Sequence, residues 1–210
     1  MNKTPRNPTA TRERLIQAAI SLILRQGFSA TSVEAICNEA GVTKGSFFHH
    51  FKTKDELGLA AVNSWSEMGT ALYAEAWQES TRSPLKQLHA MLDIMEGFTQ
   101  DPDEPCICVV GMMSQELAQT HPEIAEQCRV ALATWTGQVS RLLDAAKQQQ
   151  VPSPRFDSES VAWFLNSIWQ GSMLIAKTQS NPDLIRTNLR HARAYVDSLF
   201  EPMPTTPLNS

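Results

Sequence analysis

Apolar residues recur at three- and four-residue steps along most of the chain, which predicts a succession of helices and no convincing strand. The first helix spans about Thr9 to Gln26, with Leu15, Ala18, Ala19, Leu22 and Ile23 as its buried stripe and Gly27 as its stop. Val33, Ile36, Cys37 and Ala40 share one face of a short second helix. Thr31 and Glu34 have the spacing of a capping box at its start, and Gly41 suits its end. Thr43 caps a third short helix that opens with Lys44, Gly45 and Ser46, and Phe47 and Phe51, four apart, anchor it on its neighbours. A second capping box, Thr53 with Glu56, opens a long helix to about Ser80 whose stripe runs Leu57, Ala60, Ala61, Trp65, Met68, Leu72 and Ala76.

Pro84 opens the next helix at a first-turn position, with Leu85, Leu88, Met91, Leu92 and Met95 on its apolar face. Asp101 to Pro105 read as a turn. Cys106 to Gln119 read as a helix apolar on all sides at first, hence buried, although the β-branched Ile107, Val109 and Val110 also fit a short strand. Three more helices follow, over about Glu123 to Gln150, Ser158 to Gln179 and Pro182 to Leu199, the first two separated by the break Val151-Pro152-Ser153-Pro154. The predicted class is all-α, with about nine helices. Residues 1–8, with two prolines, Lys3 and Arg6, read as a flexible basic arm, and 201–210, with three prolines, as a disordered tail. Between them lie a helix-turn-helix domain over 9–55 and a helical body over 56–200. The long helix joins these two without a Gly/Ser linker and is expected to act as a rigid lever.

Charge refines this picture. The net charge is −4, but it is unevenly distributed. Residues 1–52 carry seven Lys or Arg against three Glu, a net of +4, and the remainder carries eleven against nineteen, a net of −8. A basic head on an acidic body suits a protein that presents one end to phosphates, and argues against a non-specific DNA-bending protein, which would be basic throughout. Hydrophobic residues make up 42% of the chain, enough for a packed core. No apolar run approaches the roughly 18 residues of a membrane span, and the start lacks a signal-peptide core, so a cytoplasmic location is expected. Cysteines at 37, 106, 108 and 128 have neither disulfide-framework nor metal spacing. His89 and His121 have no nucleophile at a recognisable spacing, so no enzyme, cofactor or metal site is expected.

Two short helices joined through a Gly-containing turn are the shape that puts a second helix in the DNA major groove. Candidate DNA contacts are Thr31, Ser32, Thr43, Lys44, Gly45, Ser46, Phe48, His49, His50, Lys52 and Lys54: donors, a glycine permitting close approach, and basic residues just beyond. With these residues in view, 11–62 resembles the DNA-binding domain of the TetR family of transcriptional regulators. The matching marks are Gly27-Phe28, Thr31, Ala40 to Val42, Lys44 to Phe51, and Lys54 to Leu57. Phe48 stands where the family usually has Tyr, so a phosphate contact through a phenol is unavailable there. The resemblance implies a dimer that binds palindromic operator DNA, most often as a repressor, with a helical domain for a small-molecule inducer. It also implies dimerisation through the last two helices.

The dimer reading has residue-level support in the broad apolar coverage of the penultimate helix. Its candidate interface is Phe164, Ile168, Gly171, Ser172 and Ile175, with Leu189 and Val196 from the last helix. Candidate lining for an apolar or weakly polar ligand is Trp65, Met68, Met91, Met95, Cys106, Met112, Met113, Trp135, Phe164 and Trp169, although each taken alone reads first as a core residue. An alternative function on the same scaffold is thiol-based redox or electrophile sensing by Cys106, placed near a helix start, where the helix dipole favours a thiolate. The nearby Asp101, Asp103 and Glu104 oppose that effect. Some TetR-family members resembling this chain carry a sensing cysteine at the start of the same helix.

Overall fold

A computed structural model describes residues 8–78, 83–100, 106–151 and 153–201. Among these residues there are nine α-helices and no strand: α1 (Pro8–Gln26), α2 (Val33–Ala40), α3 (Lys44–His50), α4 (Lys54–Gln78), α5 (Pro84–Gly97), α6 (Val109–Leu117), α7 (Pro122–Gln148), α8 (Ser158–Gln179) and α9 (Asp183–Phe200). Residues 1–7 of the expected arm, the Asp101–Pro105 turn and nearly all of the expected tail lie outside the described residues, while Pro8, expected in the arm, opens α1.

The chain forms two compact units. Unit 1 takes in residues up to Leu72 together with Ile107–Trp135, and unit 2 takes in Tyr73–Cys106 and everything from Thr136 onward. In unit 1, α1 packs on α2, α3 and α6. Its core includes Leu15, Ile23, Ile36, Phe47, Phe51, Leu57, Met113, Leu117 and Ile124. Gly58 packs closely against residues of that core. A Cβ there would come within 2.7 Å of Phe28 Cε2 and 3.3 Å of Ile124 Cδ1. Glycine to alanine inside a helix ordinarily gains up to about 1 kcal/mol of stability. Here the clash reverses the sign: Gly58→Ala should lower stability by about 1–3 kcal/mol, visible as a lower urea midpoint at unchanged slope. In unit 2, α9 packs on α8 and α5. Asn166 donates to Thr136 Oγ1 at 2.9 Å, and Arg186 bonds Thr99 through both its side chain and its carbonyl.

Three expected helix starts are corrected. Ser32, not Thr31, caps α2: it has extended backbone, and its Oγ accepts from Ala35 N at 3.1 Å. Thr31 is buried, and its hydroxyl donates backward to Gly27 O at 2.7 Å, so no Thr31–Glu34 capping box forms. At α4, Thr53 Oγ1 accepts from Glu56 N as expected, but the Glu56 carboxylate reaches Lys52 N rather than the N–H of Thr53. Finally, α6 begins at Val109 rather than Cys106, with Cys108 extended at its cap. Cys108, not Cys106, therefore meets the start of this helix. The strand alternative over 107–110 also falls, because Val109 and Val110 are helical and packed into the unit 1 core. Gly41 ends α2 in the left-handed conformation at φ 61°, as its position required.

Candidate nucleic-acid interface

The turn between α2 and α3 fixes how α3 is presented. Thr43 Oγ1 accepts from Ser46 N at 3.2 Å, which satisfies one orphan amide of the first turn of α3. Phe47 is fully buried, its ring lying edge-on to Phe48 and tilted against Phe51. Burying Phe47 turns the opposite side of α3 outward. Lys44 and Phe48, and likewise Gly45 and His49, are four apart, and all four are exposed. Ser46 and His50 are half-buried at the edges of that face, and His50 makes an edge contact with His49. Nothing but Thr43 Oγ1, at 3.8 Å, lies near a Cβ built on Gly45, so the front of the helix is open.

Around this face stand further exposed donors. Ser32 uses its oxygen as an acceptor for Ala35 N, which leaves its hydroxyl hydrogen available. Lys44 Nζ pairs with Glu34 Oε2 at 3.0 Å, both side chains more than half exposed. Such a surface pair is worth at most about 1 kcal/mol, so Lys44 exchanges it for another anion at little cost. Lys52 is exposed.

Two expected contacts are corrected. Thr31 is engaged with the carbonyl of Gly27 and faces the interior. The ammonium of Lys54 donates to Phe28 O at 3.0 Å and Thr31 O at 3.1 Å, and sits 4.2 Å above the centre of the Phe28 ring. It is a structural tie across the α1–α2 turn. A lysine beside an aromatic and two turn carbonyls looks the same in sequence as a lysine facing DNA.

Family models match both parts of the chain. Residues 15–61 match the model for bacterial regulatory proteins of the tetR family, and 84–192 match that for the tetracyclin repressor-like C-terminal domain. The chain belongs to the TetR family of transcriptional regulators. Among its relatives, the transcriptional regulator AcuR of Cereibacter sphaeroides is 26% identical over 85% of this chain and 81% of its own length. The HTH-type transcriptional repressor DhaR of a Mycobacterium species is 23% identical over 82% of this chain and 85% of its own. A crystal structure of a TetR regulatory protein from Rhodobacter sphaeroides superposes with a TM-score of 0.78 at 25% identity, covering 88% of this chain and 98% of that one. No helix among the described residues is long and apolar enough to cross a membrane.

In this TetR-family chain the expected interface residues divide. Phe164 is 42% exposed and Ile175 52%, while Ile168 and Gly171 are half-buried, with open space over Gly171. Ser172, Leu189 and Val196 are instead buried within the chain, where α9 packs on both α8 and α5. There Asn188 donates to Ser172 Oγ at 2.9 Å. The outer face of α8 adds Trp163 and Leu174, and Phe164 meets exposed Tyr195 of α9 edge-on at 4.9 Å between ring centres. These extra residues were visible as apolar positions, but their outward direction follows only from how α8 and α9 pack.

The expected ligand-lining residues also divide. Cys106, Met91, Met95, Phe164 and Trp169 belong to unit 2, while Trp65, Met68, Met112, Met113 and Trp135 belong to unit 1. Met91, Met95, Met113 and Trp169 are buried, Met68 and Phe164 are exposed, and the rest are half-buried. Unit 2 holds an aromatic run absent from the expected set. Trp77 stacks on Tyr73 at 5.1 Å, Tyr73 meets Phe98 at 6.4 Å, and Phe98 meets Trp169 at 6.5 Å. The indole N–H of Trp77 is buried without a hydrogen-bond partner. Neither buried thiol favours thiolate chemistry. Burial pushes Cys37 up against the opposing charge of Lys44, with a smaller upward push from Glu34. Burial likewise raises Cys128, despite its bond with Ser114.

Proposed function

We propose that this regulator is a homodimeric repressor that reads a palindromic operator with the Lys44, Gly45, Phe48 and His49 face of α3. The exposure of that face, held outward by fully buried Phe47, is the observation that carries the reading. Ser32, Thr43 and Lys52 at its margins supply phosphate donors, with Ser46 and His50 at the edges of the helix. The dimer forms through the outer face of α8, exposed Phe164, Leu174 and Ile175 with half-buried Gly171, and Tyr195 of α9; an apolar stripe of this kind is what a two-fold helical interface needs. Repression is the activity named for the relative DhaR.

Lys44→Ala should weaken DNA binding. If Lys44 touches only phosphate, the loss is similar on all sequences and the slope of log K against log salt falls by about one. If it reads a guanine, discrimination at one base pair relaxes by roughly 1–3 kcal/mol. Unchanged binding to both selected and random duplexes removes Lys44 from the interface.

The effector in this reading is an apolar or weakly polar molecule carrying a hydrogen-bond acceptor, received by the Trp77, Tyr73, Phe98 and Trp169 run. The unpartnered indole N–H of Trp77 supports it, since a buried donor left unmet costs about 1–3 kcal/mol. Effector and operator must weaken each other by one common factor, in the range of about 5–150-fold. Compounds that quench tryptophan fluorescence are to be titrated with and without operator DNA. An effector binds more weakly to the DNA complex by the same factor by which it lowers DNA affinity; a compound that binds equally in both cases is not the effector.

A further inference from the structure

The segment matched by the C-terminal family model reaches into the DNA-reading head at one acidic residue. Glu116, on α6, lies 88 positions along the chain from Phe28. Its carboxylate accepts from Phe28 N at 2.8 Å through Oε2 and from Ser29 N at 2.7 Å through Oε1. Both amides belong to the turn that leads from α1 into α2. Gly27 makes room for this grip. It has φ 86°, and a Cβ there would stand 3.0 Å from Glu116 Oε2. On the carbonyl side of the same turn, Lys54 Nζ holds Phe28 O and Thr31 O, and Thr31 holds Gly27 O. The turn is thus gripped by its amides from α6 and by its carbonyls from α4.

We infer that Glu116 is a positioning residue for DNA binding: its carboxylate fixes the α1–α2 turn, and through it the setting of α2 and α3 on α1. This rests on α3 being the reading helix. The charge is suited to the task. Burial works against ionisation, but the donations from Ser29 and Phe28 and the nearby charge of Lys54 outweigh it, so the carboxyl stays below the usual carboxylate range. Charge-assisted bonds to paired amides are short and directional, which sets a backbone angle more sharply than apolar packing does. Without them the turn has its carbonyl ties alone, and α2 and α3 sample settings that a DNA groove rejects. Only the fraction of molecules with the competent setting binds, so apparent affinity falls in proportion.

The test compares Glu116→Ala, Glu116→Gln and a control, Leu117→Ala, on the full-length protein. Leu117 is buried on the same helix, and its apolar side chain offers the turn no acceptor, so its truncation weakens unit 1 without removing a bond to Phe28 or Ser29. The probe is a duplex selected from a random-sequence library by the wild-type protein, well below the melting temperature of every variant. Expected are an affinity loss of about tenfold or more for Glu116→Ala, a smaller loss for Glu116→Gln, which keeps one acceptor oxygen, and a near-wild-type value for Leu117→Ala. The slope of log K against log salt stays that of the wild type in all three, because Glu116 touches no phosphate. Hydrogen exchange at the amides of Phe28 and Ser29 should quicken selectively in the Glu116 variants and not in Leu117→Ala. Wild-type affinity in Glu116→Ala overturns the inference, and so does an equal loss in Leu117→Ala, which would make the role one of general stability. If the wild-type protein selects no duplex at all, the α3 reading itself fails; selection by the wild type with an unaffected Glu116→Ala removes Glu116 alone.

Discussion

Ile175→Glu should give a folded monomer whose affinity for its selected duplex is at least about 100-fold below that of the wild type. Ile175 is 52% exposed in the single chain, so a glutamate there stays in water and leaves the α8–α9 seam intact. In a two-fold dimer each substitution occurs twice, across one self-complementary face. Two carboxylates would then be buried without partners, at a cost of several kcal/mol, and about 1.4 kcal/mol is a factor of ten. A monomer also loses the second half-site and the added binding it brings. Sedimentation gives the oligomeric state, and far-ultraviolet circular dichroism confirms the fold. Leu189→Glu is the instructive contrast. Leu189 is buried within the chain, so this change should unfold unit 2 rather than release a soluble monomer. An Ile175→Glu protein that remains dimeric would remove the outer face of α8 from the interface.

Phe47→Ala and Phe48→Ala, one position apart, should have opposite signatures. Phe47 is fully buried in the unit 1 core, and removing such a ring costs about 3–5 kcal/mol. Against a total stability of about 5–15 kcal/mol, that is enough to unfold the head at moderate temperature. The expected outcome is a melting transition lower by more than about 10 °C and no DNA binding at 37 °C, while the outer face of α8, in unit 2, still supports dimerisation. Phe48 is 57% exposed, so its truncation should change stability by no more than about 0.5 kcal/mol. Its effect is expected in DNA affinity alone. A Phe47→Ala protein as stable as the wild type would contradict the packing that turns α3 outward.

The helices were legible because their signals are local. Apolar spacing gave most of each stripe, although Met68 and Leu72, expected on the stripe of α4, are exposed, and Thr43, Gly41 and Pro84 marked ends at which the structure does start or stop a helix. The exposed face of α3 followed in the same way, once Phe47 and Phe51 were taken as anchors. What was not legible depends on residues distant in sequence. Lys54 looks like a phosphate contact until Phe28 and Thr31 are found to supply carbonyls to its ammonium. Thr31 looks like a cap until its hydroxyl is seen to turn back to Gly27. Leu189, Val196 and Ser172 share the outer residues' apolar or small character, and only the packing of α9 on α8 and α5 decides which are buried. The unit boundary is hidden for the same reason, since Ile107–Trp135 joins unit 1 by contacts that no local pattern announces. Glu116 leaves no signal at all in its own neighbourhood.

The central claim is that two copies of the α3 face read one symmetric site. Hydroxyl-radical footprinting of the wild-type protein on a duplex selected from a random-sequence library tests it most directly. The account predicts two symmetric protected patches whose centres lie about 34–36 Å apart, one helical turn of DNA, with both patches lost together in Ile175→Glu. A single protected patch, an asymmetric footprint, or equal protection of unselected duplexes would contradict it.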